Sequence, residues 1–158
     1  KGVTNPNSIG LAHENVVALV FGVFDYLYDM NIDVEYDDEV SYNYARSKIP
    51  VDAKAAGIEA LDGIWQEVND IDGLTKDADK ARKLGYSGKT LIHPSHINPV
   101  HEIFRPTKKQ VEWAEKVLAA LQDAFEKGNT RGAILLDGKM IDAVHYKQAK
   151  SVINAAKQ

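Results

Sequence analysis

Hydrophobic and polar positions alternate along this chain in a rhythm that changes period several times. Asn5 to Asn15 has a modest helical pattern, and Val16–Gly22 then reads VVALVFG, a continuous apolar β-prone run of the kind found in strands covered on both faces. Asp25 follows directly. An acidic helix start at 37–40 (DDEV) leads into a helical pattern running to Ala56, with Gly57 as its stop and Pro50 expected to kink or split it. IEALDGIW at 58–65 predicts a second short strand ending near Asp62-Gly63. GLTKDADKARKL predicts a helix capped by Gly85, its charges forming a solvated face, and Lys89–Ile92 predicts a third strand. Pro106-Thr107 opens a long amphipathic helix to about Lys127, with Val111, Ala114, Val117, Leu118, Leu121 and Phe125 on one side. Gly128-Asn129 breaks it, GAILLDGK suggests a short strand or hairpin, and a last helix spans roughly Met140 to Ala156. Strand and helix alternate three times at a spacing of about thirty residues, the βα cadence of a parallel sheet. Ligands of such sheets gather at the C-terminal strand ends, where Asp25, Asp62 and His93 fall.

The stretch GYSGKTLIHPSHINP (85–99) invites a nucleotide-loop reading, and fails it. A phosphate loop needs a Gly four residues before Gly-Lys-Thr and a helix after it. Lys83 occupies the first position, and Thr90-Leu91-Ile92 followed by His93-Pro94 reads as a strand ending at a proline. His93, His96 and His101 offer no i, i+4 pair for zinc, and two prolines interrupt them. NDIDG echoes a calcium loop, but Val68 and Asp79 stand at its first and last ligand positions.

The 158 residues suffice for a sizeable core, with 44% hydrophobic and 27% charged residues and a net charge of −4. That acidity, without a basic stripe, predicts no nucleic-acid partner. The absence of Cys removes disulfides, thiolate chemistry and Cys-based metal sites. Val16 to Phe24, interrupted by Gly22, falls far short of the ~20 residues of a membrane span, which predicts no membrane partner. A cytoplasmic location is expected. Lys1 rather than Met opens the sequence, so the question of an organelle-targeting segment stays open.

ALVFGVFD, AAGIEALDG, LGYSGKTLIHPSHINPVHEIFRP and GKMIDAVHYKQA stand in an order and spacing that resemble the citrate lyase beta-subunit-like family. That family includes malyl-CoA and citramalyl-CoA lyases and lies within the wider aldolase/citrate lyase superfamily. The resemblance implies an α/β fold: strands six to eight of a (β/α)₈ TIM barrel followed by a C-terminal lid. Val16–Gly22, Ile58–Asp62 and Lys89–Ile92 would be those strands. Residues 1–127 would form the C-terminal part of the barrel and 128–158 the lid. A whole barrel takes ~250 residues. The family's metal-binding Glu on strand five and carboxylate-binding Arg on strand three have no counterpart among these residues.

The resemblance implies a Mg²⁺-dependent lyase that splits a 3-hydroxyacyl-CoA (a CoA thioester of the citryl, malyl or citramalyl type) into an acyl-CoA and an oxo acid, working as a homotrimer or larger homo-oligomer. Such chemistry calls for a hard cation and an acid/base group. By resemblance Asp25 is the metal ligand; on the residues alone it is equally a helix cap. Gly22 would let backbone approach the oxo-acid carboxylate. Asp142, in Met-Ile-Asp, matches the family's lid acid/base, acting on a neighbouring subunit; on residues alone it is an Asp in a helix's first turn. Val144 stands where the family usually has Pro. His93 and Pro94 would lie near the thioester arm, against a structural role for the His. Asp62 would be a rim residue contacting substrate, or a turn former before Gly63. A CoA-independent oxo-acid aldolase and a non-catalytic CoA-binding or assembly fragment are the alternative functions.

Overall fold

The structure, a computed structural model, describes residues 1–33, 40–128 and 132–157. Strands β1 (Ala18–Val20), β2 (Glu59–Asp62) and β3 (Gly88–Lys89) form one sheet in the order β1-β2-β3. Both pairings are parallel, with Leu19 opposite Ala60 and Asp62 opposite Lys89. Parallel neighbours need crossovers, and helices α3 (Asn43–Ala56) and α4 (Ile71–Leu84) supply them. Before and beside them lie α1 (Pro6–Gly10) and α2 (Val23–Asp29); after β3 come a 3₁₀ turn at Pro94–His96 and α5 (Ile97–Phe104). The α/β cadence of the sequence is thus present, though the strands are shorter than their apolar runs. β3 ends at Lys89 because Leu91 leaves the sheet to pack against Leu74, Ala78 and Val100 on α4 and α5. Helix α5 has no counterpart in the sequence reading, where Pro94 and Pro99 masked its start.

Phe21, Leu27, Ala45, Ile49, Ala53, Ala60, Ala81 and Tyr86 form the main core, between the sheet and its crossover helices. Gly57 and Gly85 end α3 and α4 in left-handed geometry, with φ of 76° and 101°, as the sequence leads one to expect. The acidic start expected at 37–40 lies outside the described residues except for Val40. Asp70, within the calcium-like stretch, caps α4 by accepting the Gly73 N–H at 2.9 Å.

Pro50 does not split α3, which is continuous from Asn43 to Ala56. A proline there leaves the carbonyl four residues back without its helical donor. That carbonyl belongs to Arg46, and it accepts the buried Tyr86 hydroxyl at 2.8 Å. Burial, and after it the negative charge of Asp62, pushes the Tyr86 phenol well above its usual range, so it remains a donor.

The chain divides into two units, Lys1–Phe104 and Arg105–Gln158. Helix α6 (Lys108–Glu126), placed with the barrel part in the sequence reading, packs with hairpin β4 (Ala133–Leu136)/β5 (Lys139–Asp142) and with α7 (Ala143–Ala156). Ala114 and Val117 of α6 share a core with Ile141 and Ala149. Helix α6, the hairpin and α7 therefore share one core. Asp137 and Gly138 both have positive φ (48° and 76°), the signature of a two-residue type I′ turn. The hairpin takes up Met140–Asp142, so α7 begins three residues later than the sequence pattern suggests. Thr107 and Gln110 form a capping box on α6.

Tyr86→Phe is expected to cost about 1–3 kcal/mol in urea unfolding, because the Arg46 carbonyl loses its donor. Pro50→Ala, which restores a backbone N–H beneath that carbonyl, should recover part of the loss. An equal loss in both backgrounds would show that the hydroxyl does not serve this carbonyl.

Candidate active site at the strand ends

The C-terminal end of β2 carries a charge cluster buried beneath the rim. Arg46 reaches from α3 and grips Asp62 through both ends of its guanidinium, Nε to Oδ1 at 3.1 Å and Nη2 to Oδ2 at 2.7 Å. The same Nη2 meets Asp77 of α4, Oδ1 at 2.8 Å and the carbonyl at 3.2 Å. Lys89 of β3 places Nζ 2.7 Å from Asp62 Oδ2 and also bonds the Asp77 carboxylate. Two cations and two anions alternate, so the group is neutral within itself. Asp62 is 1% exposed and Arg46 2%. Burial alone would weaken the proton's hold on Arg46, but the hydrogen bond and charge of Asp62, with Asp77 behind them, outweigh it and raise its pKa further.

This corrects two readings. Asp62 is neither an open rim contact nor only a turn former, because its carboxylate is taken by Arg46 and Lys89. Asp77 and Arg82 leave the solvated face expected for KDADKARK. Asp77 joins the cluster and Arg82 donates to the Ile103 carbonyl at 2.6 Å, while Lys83 and Asp79 pair in solvent. The sequence did contain a signal. Asp77 is in register with Leu74 and Ala81 on the apolar face of α4, and Lys89 sits within a run read as buried; a buried charge needs a partner. Arg46 had no comparable signal.

The cluster supports the rim through backbone. The Asp62 carbonyl accepts both the Thr90 N–H (2.9 Å) and its hydroxyl (3.0 Å), aiming the chain toward His93. Gly63 lies against the end of β1, where a β-carbon would stand 2.6 Å from the Phe21 carbonyl oxygen. A cleft of about 340 Å³ opens above, lined by Phe21, Phe24, Trp65 and Glu67 with the cluster at its edge.

Gly22 and Asp25 are brought together at the end of β1. Gly22 is the residue before α2, and Asp25 lies in that helix's first turn rather than at its cap. Asp25 Oδ2 stands 2.8 Å from where a Gly22 β-carbon would be, so the missing side chain opens space that the carboxylate enters. The Asp25 side chain is exposed, with no hydrogen bond or ion pair among the described residues, and both residues face a hollow of about 790 Å³. No group of three potential metal ligands forms among the described residues. An open carboxylate is the kind of group that suits a Mg²⁺ ion keeping most of its waters.

His93 and Pro94 lie exposed past β3. His93 Nδ1 meets Ser95 N at 3.2 Å and Oγ at 2.7 Å, capping the 3₁₀ turn. His96 is buried, with Nε2 3.0 Å from the Val68 carbonyl. Asp142 belongs to the second unit, where it caps α7. Its Oδ1 accepts the backbone N–H groups of Val144 (2.9 Å) and His145 (3.3 Å) and lies 2.8 Å from His145 Nδ1. A proline at 144 could not supply the first of these. The His145 side-chain hydrogen bond above all, then the backbone donors, hold the Asp142 carboxyl below its usual range.

Three parallel strands with crossover helices, and with polar residues gathered at their C-terminal ends, form an α/β arrangement of the kind that binds ligands at those ends. Residues 1–94 match the HpcH/HpaI aldolase/citrate lyase model, and the chain belongs to that family. It is 36% identical over 157 residues to the citrate lyase subunit beta of Haemophilus influenzae, covering 99% of this chain and 53% of the relative. To the mitochondrial citramalyl-CoA lyase of Rattus norvegicus it is 37% identical over 139 residues, 88% of this chain and 40% of that protein. Among solved structures, CitE from Mycobacterium tuberculosis in complex with magnesium, acetoacetate and coenzyme A superposes with a TM-score of 0.82 at 27% identity, covering 99% of this chain and 58% of that one. The chain spans about half the length of the curated relatives it matches. No helix among the described residues is long and apolar enough to cross a membrane.

Lys89→Met leaves one cation for two buried carboxylates and should destabilise the protein by about 3–5 kcal/mol. Adding Asp77→Leu restores neutrality around the Arg46–Asp62 pair, so the double variant should be more stable than Lys89→Met alone. Urea unfolding of both variants checks this; a strictly additive loss would refute the charge-balance account.

Proposed function

We propose that this chain supplies part of the active site of a Mg²⁺-dependent lyase that cleaves a 3-hydroxyacyl-CoA of the citryl, malyl or citramalyl type. The observation that carries the reading is the open Asp25 carboxylate over Gly22 at a strand end. It is supported by the likeness to a CitE bound to magnesium, acetoacetate and coenzyme A. The three strands would be six to eight of the barrel.

In the reaction a carbon–carbon bond breaks and its electron pair becomes the enolate of the acyl-CoA. The hydroxyl proton leaves as the oxo-acid carbonyl forms, and the enolate carbon takes up a proton. Asp25 would hold the Mg²⁺, which when bound neutralises the substrate carboxylate and polarises the adjacent oxygen. Gly22 lets the oxo-acid carboxylate lie against backbone, and His93-Pro94 borders the thioester arm. Asp62 acts indirectly, holding the rim through Thr90 and the charge cluster. Asp142 moves the enolate proton, giving it to the enolate carbon in cleavage and taking it from the acyl-CoA in the reverse direction.

A non-catalytic CoA-binding segment is the competing reading, favoured by the lack of a group of three potential metal ligands among the described residues. In the full-length protein, Asp25→Ala should abolish Mg²⁺-dependent cleavage with the fold intact. Unchanged activity and Mg²⁺ affinity would return Asp25 to a helix-stabilising role. Asp142→Asn should lose ~10²–10⁴-fold in rate with substrate binding little changed. If Asp142 serves a neighbouring subunit, mixing the two inactive variants should rebuild some sites with both aspartates. A mixture that stays inactive after exchange confirmed by mass would exclude the shared site.

A further inference from the structure

Two helices of the second unit begin with a capping box, and the two boxes differ in both residues. On α6 the pair is Thr107 and Gln110, the usual combination of a hydroxyl and an amide. On α7 it is Asp142 and His145. A capping box needs only a side chain that accepts the N-cap N–H, which Gln supplies. Imidazole adds something Gln lacks. Nδ1 of His145 stands between two partners, 3.2 Å from the Asp142 N–H and 2.8 Å from Asp142 Oδ1. Without a proton Nδ1 accepts the first; with one it donates to the second.

The Val144 and His145 N–H donors and the His145 imidazole all converge on Asp142 Oδ1, and Oδ2 has no partner among the described residues. Both side chains are about one-third exposed, Asp142 at 36% and His145 at 38%. Among the described residues His145 is the one ion-pair partner given to Asp142. Lys139 lies over the Trp113 ring, Lys150 over Tyr146, and Lys116 faces Asp137.

We propose that His145 is a positioning residue for Asp142, fixing Oδ1 against the start of α7 and leaving Oδ2 as the one oxygen free to exchange a proton with substrate. The inference rests on the reading of Asp142 as the acid/base group, and goes beyond it by naming what orients that group. The low pKa of Asp142 agrees with it, since the His145 side chain is its largest cause.

The test is His145→Gln in the full-length protein, with His145→Ala beside it. Gln preserves the capping box, as it does on α6, so α7 should form and unfolding should match wild type. The Asp142 carboxyl, followed by ¹³C NMR, should titrate at higher pH in both variants, since losing the imidazole donor removes what depresses it. The value of kcat should fall about ten-fold with KM unchanged, as expected when orientation of an acid/base group is lost. If His145→Gln leaves either the Asp142 titration or kcat at the wild-type value, His145 is only a cap and the proposal is overturned. Asp142→Asn separates the underlying reading. Full activity in that variant would refute proton transfer by Asp142, whereas the carboxyl titration reports on His145 without any turnover.

Discussion

Four buried charges at the foot of the cleft determine how the first unit is held together. Arg46, Asp62, Asp77 and Lys89 come from α3, β2, α4 and β3, so each element of two successive βα repeats contributes one. Hydrophobic contact would let these elements slide over one another at small cost. A bidentate guanidinium–carboxylate pair does not, because it fixes distance and plane together. Such a group adds little net stability over an apolar replacement, but it tolerates few alternative arrangements. Registry is the property it supplies, and β2 and β3 are aligned where Asp62 faces Lys89.

From that registry the rim follows. Asp62 offers its side chain to the cluster and its carbonyl to Thr90, so one residue joins the interior to the loop that bears His93. On the other side Gly63 rests against the end of β1, from which Gly22 and Asp25 project. The two candidate metal and substrate residues are thus carried on short connections from rigid strands, an arrangement suited to binding groups that must be held in place. Asp142 sits in a unit with its own core, built from α6, the hairpin and α7.

Much of this was legible in the residues. Strand positions, the glycine stops of α3 and α4, the long helix from Thr107 and the Asp-Gly hairpin all follow from local chemistry, because each depends on neighbours in sequence. The charge cluster was not legible: Arg46 and Asp62 meet only after an entire helix has crossed the sheet. Pro50 misled for a related reason. Its local effect is to break a helix, and the compensating hydroxyl comes from Tyr86, a residue distant in sequence. The division after Phe104 was hidden because α6 has the same amphipathic pattern whichever core it joins. For the candidate site, the motif led to Asp25, Gly22 and Asp142, while His145 looked like any polar residue in a first helical turn.

Gly63 has a consequence for how the rim can vary. The nearest atom to its absent β-carbon is main chain, the Phe21 carbonyl oxygen, and main chain cannot rotate aside as a side chain would. Even alanine would have to push β1 and β2 apart just where Phe21 N–H bonds the Leu61 carbonyl at 3.0 Å. At most rim positions a substitution can be conservative to some degree. Here the ranking of the other nineteen residues by size or polarity has no meaning, since the first carbon of any of them is already too many.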